Sequence, residues 1–382
     1  MQNNRGQKKI RIMTVIRHPT GGIRTYLKYT YNCLDSCKYD FRVLTARAEE
    51  IEQLKADLKG LSPEFVEVNG FNLSFMRWLF ILLWRRDVDV IHSQGYSCGV
   101  LASFLNLPFG IPHIITLHGT FDDTTIKGRF AFLKNWIMLF LLSRADIINV
   151  VSEDARANLI ECFTGGKKCQ SRIVVIENGI DISFFMEETE PLKKLTTIKG
   201  IDQDTVVIGY LGRFMPEKGF PILINAVEEL AKSPAIVQNY KVLALGWGAY
   251  IREYQALISA KGLKSFFVFI EFQPDVRWVL RQIDMLIIPS LREAFGLIAV
   301  EGLVCGTPII ASNCIGLREV LRGTPACLVT AGEASELADA ILEMIKNPKR
   351  KEATEFIPTA IKRFDVSVAA AKLDSLFETI TQ

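Results

Sequence analysis

The chain reads as an α/β protein built from two doubly wound, parallel-sheet domains. Three observations predict it. Short apolar runs alternate with helical periodicity along almost the whole chain, the pattern of strands and crossover helices in a parallel sheet. The alternation stops in a charged stretch, Glu187 to Gly200, and restarts at Val206. A length of 382 residues suits two domains of ordinary size, each with its own core.

The first domain is expected over residues 1–186. Its strands are Ile10 to Ile16, Phe41 to Ala46, Phe65 to Val68, Val88 to His92, His113 to Leu117, Ile147 to Val151 and Ile173 to Ile176. The first ends in a Gly21-Gly22 turn that opens a helix running to about Leu34, where missing side chains let backbone approach a ligand. Ser152 suits the N-cap of a later helix, and Asn178-Gly179 suits a turn. Residues 187–203 form the linker, and 204–363 the second domain. The tail, 364–382, reads as one helix.

Phe71 to Arg86 is apolar nearly all round and ends in Arg85-Arg86. It is shorter than the roughly 18 residues of a membrane span. The expectation is a helix buried between the sheet and its neighbours. The alternative is a monotopic membrane contact with tryptophan and arginine at the interface. Lys127 to Ser143 carries a similar apolar load, so the two segments stand or fall together.

The second domain carries the charged loops. Val206 to Leu211 is a strand followed by Gly212-Arg213 and then Lys218-Gly219 before a helix. Arginine offers a two-pronged fork and lysine a point charge, which together suit a diphosphate without a metal. Gly246, after the next strand, again permits close backbone approach. Asp284 to Ile288 is a buried strand ending at Pro289, and Gly296 to Val304 has helical periodicity. The loop between them therefore lies at a strand's carboxyl end and a helix N-terminus, where anions bind. Glu293 and Glu301 flank that position, and a carboxylate accepts hydrogen bonds from paired hydroxyls. Phosphate and hydroxyl ligands side by side describe a nucleotide sugar.

Glu293 and Glu301, with Phe295-Gly296-Leu297 between them and Gly306-Thr307-Pro308 after, resemble the retaining glycosyltransferase family 4, also called glycosyl transferases group 1. The resemblance runs along nearly the whole chain but is most specific over residues 209–319. It implies the GT-B fold, two Rossmann-like domains facing across a cleft, with the last helix crossing back to the first. It further implies that Arg213 and Lys218 neutralise the donor diphosphate and that Glu301 holds ribose hydroxyls. Glu293 and the Phe295–Leu297 backbone would hold the sugar, with Gly21, Gly22, Gly212 and Gly246 near the donor. His118, in Thr116-Leu117-His118-Gly119, would hydrogen-bond the reacting sugar; His92 is a lesser candidate, and Glu319 would support the site from behind. An acidic residue often follows the paired glycines in the family; Arg24 departs from that. The implied reaction moves a hexose, with retention, from a UDP-sugar or GDP-mannose to a glycan or lipid-linked glycan. Cell-surface polysaccharide synthesis is the expected setting. A nucleotide-sugar epimerase and a non-catalytic nucleotide-sugar-binding protein are the alternatives.

Composition narrows the rest. At 49% apolar residues the chain is no disordered polymer, and a net charge of +3 does not call for nucleic acid. Eight cysteines form no Cys-x-x-Cys pair and do not gather with the four histidines, as expected of reduced thiols in a cytoplasm. No signal peptide is apparent at the polar, basic N-terminus, and a site at the cytoplasmic membrane face is the expected refinement. Asp87-Val88-Asp89 and Asp202-Gln203-Asp204 match a metal-binding Asp-x-Asp pattern, but their positions at a strand start and in the linker argue against metal. No cofactor is expected.

Overall fold

The computed structural model describes residues 8–48, 50–121, 131–162, 170–187, 194–233 and 239–381. The chain divides into two compact units, Met1–Gly179 with Val366–Gln382, and Ile180–Asp365.

Among the described residues, the first unit holds strands β1 (Ile10–Ile16), β2 (Tyr39–Ala46), β3 (Glu64–Val68), β4 (Val90–Gln94), β5 (His113–Leu117), β6 (Ile147–Val150) and β7 (Ile173–Val175). They form one sheet in the order β3-β2-β1-β4-β5-β6-β7, with every pair parallel. β4 and β5 are buried at every position, as strands covered by helices on both faces must be. The order reverses between β1 and β4, so their carboxyl ends border the crevice where such sheets take ligands.

The second unit repeats the plan with β8 (Val206–Leu211), β9 (Tyr240–Leu245), β10 (Phe267–Ile270), β11 (Met285–Ile288), β12 (Ile309–Ser312) and β13 (Cys327–Val329). Their order is β10-β9-β8-β11-β12-β13, and the reversal falls between β8 and β11. The two loops that the sequence marks as charged follow these two strands.

The tail helix Val366–Thr381 belongs to the first unit. Its Phe377 is fully buried, edge-on to His92 and Tyr39. Asp374 takes hydrogen bonds from Tyr39 Oη (2.6 Å) and Lys38 Nζ (2.8 Å). Ile180–Met186, read from the sequence as the end of the first domain, lies in the second unit. Buried Arg277 explains this: its guanidinium stacks 3.7 Å over Phe184, donates to the Phe184 carbonyl and is held by Asp275.

The expectation of a buried helix over residues 71–86 is corrected. The helix Leu73–Trp84 starts at Asn72, whose side chain accepts from the Ser74 N–H. Phe75, Leu79, Leu82 and Leu83 form its buried stripe, while Leu73, Trp78, Phe80 and Trp84 are exposed. The helix Tyr96–Asn106 packs beside it, and Ala131–Leu142 packs beside that. On these two, Phe104, Leu133, Trp136, Ile137 and Phe140 are exposed as well. Both apolar segments thus show one face to the core and the other outward; Lys127–Phe130 lie outside the described residues. Among the described residues, no helix is long and apolar enough to cross a membrane. Asp89 pairs with Arg11 and Asp87 with Arg42, so both carboxylates of that Asp-x-Asp pattern face arginines.

Candidate active site

At the switch point of the second sheet, two loops are drawn together by their backbones. Gly219, at the end of the turn Pro216–Lys218, has φ of +68°, and a Cβ there would fall 1.8 Å from the Pro289 carbonyl oxygen. Only glycine lets the loop after β8 approach β11 this closely. The Leu291 N–H then donates to the Glu217 carbonyl at 2.9 Å. On the other side, Gly212 N–H donates to Leu245 O at 3.0 Å, and a Cβ on Gly246 would lie 1.9 Å from the Gly212 carbonyl oxygen.

These approaches put the charged side chains in contact. Lys218 Nζ lies 2.5 Å from Glu293 Oε1, and Ser290 Oγ donates to the same oxygen at 3.1 Å. Arg213 stands 3.7 Å from Glu217, with a side chain 39% exposed. Its backbone is fixed by Tyr210 Oη, which donates to the Arg213 carbonyl at 2.9 Å. Each cation is thus balanced by a carboxylate while its loop stays open to a ligand. Gly296 caps the helix Leu297–Val304, Phe295 is buried with its ring edge-on to Phe364, and Glu301 is buried on the helix. Glu319, assigned a supporting place, accepts from Arg363 through its carbonyl.

In the first unit, Gly21 opens the helix Gly21–Asn32, and a Cβ on Gly22 would meet nothing within 4 Å. Arg24 is paired with Asp57 at 3.1 Å. His118 follows β5, half-buried, with its Nε2 2.7 Å from Gln94 Oε1 and its ring 4.7 Å from that of Tyr26. Burial lowers its pKa to about 3, so the imidazole is neutral. His92, wholly buried, is lowered to about 3 in the same way, with His118 and His113 adding to the effect. It bonds Tyr31 Oη at 2.6 Å and Thr116 Oγ1 at 2.8 Å. His92 is therefore an internal polar link.

Sequence reasoning missed Glu217, Ser290 and Gln94. Glu217 lies inside the charged loop and Ser290 begins the other, so spacing could have found both. Gln94 belongs to no motif; its one signal is that it closes the polar run His92-Ser93-Gln94 at a strand's end, just before Gly95.

Two doubly wound parallel-sheet units, with charged and glycine-rich loops at the second's switch point, define a protein of the GT-B class. Residues 20–184 match the family described as Glycosyltransferase Family 4, and residues 193–363 match Glycosyl transferases group 1. The chain belongs to this glycosyltransferase family. It is 26% identical over 349 residues to an uncharacterized glycosyltransferase of Methanocaldococcus jannaschii, covering 89% of this chain and 90% of that one. A D-inositol 3-phosphate glycosyltransferase of Corynebacterium aurimucosum is 26% identical over 348 residues, covering 87% and 81%. Among solved structures, Anabaena HepE in complex with UDP-glucose superposes with a TM-score of 0.82 at 21% identity, covering 97% of this chain and all of that one. WaaG, a glycosyltransferase involved in lipopolysaccharide biosynthesis, gives 0.72 at 14% identity, covering 96% and 99%. At those identities the structures establish the shared fold.

Proposed function

We propose that the protein moves a hexose from a nucleoside diphosphate sugar to a hydroxyl of a glycan or lipid-linked glycan, with retention at the anomeric carbon. The observation that carries this reading is the Lys218–Glu293 contact at the β8–β11 switch point, with Arg213 on the same loop. Lys218 exchanges its carboxylate for the donor diphosphate, and Arg213 adds its fork to the departing charge. Glu293, released, accepts hydrogen bonds from sugar hydroxyls beside the Phe295–Leu297 backbone, while Glu301 serves the ribose. His118 orients the transferred sugar. No metal or cofactor enters. UDP is favoured over GDP because HepE is a GT-B relative in fold solved with UDP-glucose.

The acceptor reading leans on the first unit's apolar face. Three neighbouring helices expose Trp78, Trp84, Phe104, Trp136 and Phe140, and Arg77, Arg85 and Arg86 are exposed on or just after the first of them. Apolar rings bordered by arginine suit the interface of an anionic bilayer. On this reading the enzyme works at the cytoplasmic face of a membrane, where a lipid-linked acceptor is reached.

A thermal-shift panel with UDP, GDP and their hexose conjugates, with and without magnesium, tests the donor. A ligand at 100 times its dissociation constant adds about 2.7 kcal/mol of apparent stability. A magnesium-independent shift with one nucleotide is expected, and no shift with any of them would remove the proposal's support. Anomeric analysis of the product then decides retention.

A further inference from the structure

A continuous chain of buried polar groups runs through the first sheet to His118, and its donors and acceptors can be assigned from one end. The Ile176 N–H donates to Asn149 Oδ1 at 3.2 Å, so the other amide atom of Asn149 is its NH2. That NH2 donates to Thr116 Oγ1 at 3.2 Å. The Thr116 hydroxyl then has His92 Nε2, at 2.8 Å, as the acceptor for its own proton; the nearby Tyr26 hydroxyl is itself a donor, so a bond from it to Thr116 leaves that proton free. His92 Nε2 is therefore bare. Its proton sits on Nδ1 and goes to Tyr31 Oη at 2.6 Å, and Tyr31 in turn donates to Thr14 Oγ1 at 2.9 Å.

A bare His92 Nε2 also fixes Gln94. The Gln94 atom facing it at 3.2 Å must be the NH2, so Oε1 turns to His118 and accepts its Nε2–H at 2.7 Å. We infer that Gln94 is a positioning residue that fixes the tautomer of His118, leaving Nδ1 as a hydrogen-bond acceptor for a substrate hydroxyl. The substrate part rests on the glycosyltransferase reading above; the tautomer does not. The arrangement is static because its links Thr14, Tyr31, His92, Gln94, Thr116 and Asn149 are all buried, on or packed against neighbouring strands. Among the described residues, the titratable neighbours of His118 are His92, through Gln94, and the Tyr26 ring, and burial is what lowers its pKa.

The imidazole nitrogen-15 spectrum of the full chain at neutral pH tests the tautomer without any substrate. A protonated Nε2 and bare Nδ1 on His118 is expected, assigned against a His118→Ala sample. A proton on Nδ1 would overturn the inference. With a working donor, Gln94→Met should lower kcat about tenfold, the size of one lost hydrogen bond, at nearly constant KM for the acceptor. In a His118→Ala background the same change should do nothing further, whereas an equal loss there would mean Gln94 acts elsewhere. Gln94→Glu should give activity that rises with pH, because a carboxylate facing His118 holds the imidazolium, and a pH profile unchanged from the parent counts against the proposal. If no donor supports transfer, the transferase reading fails while the nitrogen spectrum still decides the tautomer.

Discussion

At the residue scale the informative contact is Lys218 with Glu293, 75 positions apart in the chain and 2.5 Å apart in space. The pair is largely buried, its side chains 21% and 11% exposed, so removing one partner costs some folding stability as well. A cation facing a leaving diphosphate is worth about 100- to 1000-fold in turnover. Lys218→Ala should therefore lower kcat by about two to three orders of magnitude, measured at a temperature where the melting curve shows the variant still folded. Near-parent turnover would sink the assignment. Each member of the pair could be chosen from its own loop, because glycine, proline and charge cluster at both. Their meeting could not, since it depends on β8 and β11 being neighbours across a reversal of strand order. Gln94 was less accessible still: its importance comes from facing two histidines that arrive from β4 and the end of β5.

At the scale of elements, the strands were legible because parallel strands covered on both faces are uninterrupted apolar runs. β4 and β5 are buried at every position, although His92, Ser93, Gln94, His113 and Thr116 break their apolar runs. The faces of the apolar helices were not legible, and for the converse reason. In Leu73–Trp84 the exposed side has Ser74 and Arg77 but also Leu73, Trp78, Phe80 and Trp84. Its polar period is too weak to mark which side meets solvent against the buried stripe of Phe75, Leu79, Leu82 and Leu83. Exposing tryptophan without a partner is costly in water and favourable at a lipid interface. Vesicles containing anionic lipid should therefore sediment the protein at low salt. Replacing Trp84 and Trp136 together by serine should weaken that binding by tenfold or more, given about 1.5–3 kcal/mol for burying each large apolar side chain. Both positions are exposed, so the melting temperature should hardly move. Equal sedimentation of parent and variant would mean the face serves something other than a membrane.

At the scale of the molecule, the two units share a plan but differ in their titrating groups. All four histidines, His18, His92, His113 and His118, belong to the first unit. Burial holds His92, His113 and His118 neutral, each with its pKa lowered to about 3, and it lowers His18 as well. In the unfolded chain these groups titrate near 6.5. Between those values the unfolded state binds more protons than the folded one, so stability is full above about pH 6.5 and falls as the pH drops. Each of His92, His113 and His118 contributes a slope of up to about 1.4 kcal/mol per pH unit in that window. The second unit has no histidine. Its Asp275, which burial raises but the Arg277 hydrogen bonds pull further down, ends below its usual value. That contribution is lost only as the pH falls below about 4, the ordinary carboxylate range. Acid should therefore open the first unit before the second. Hydrogen exchange at pH 7 and pH 5, corrected for intrinsic rates, should show β4 and β5 losing protection while β8 and β11 keep theirs. Loss of protection in both sheets together would mean that the buried histidines do not set the acid limit, and that a group common to both units does.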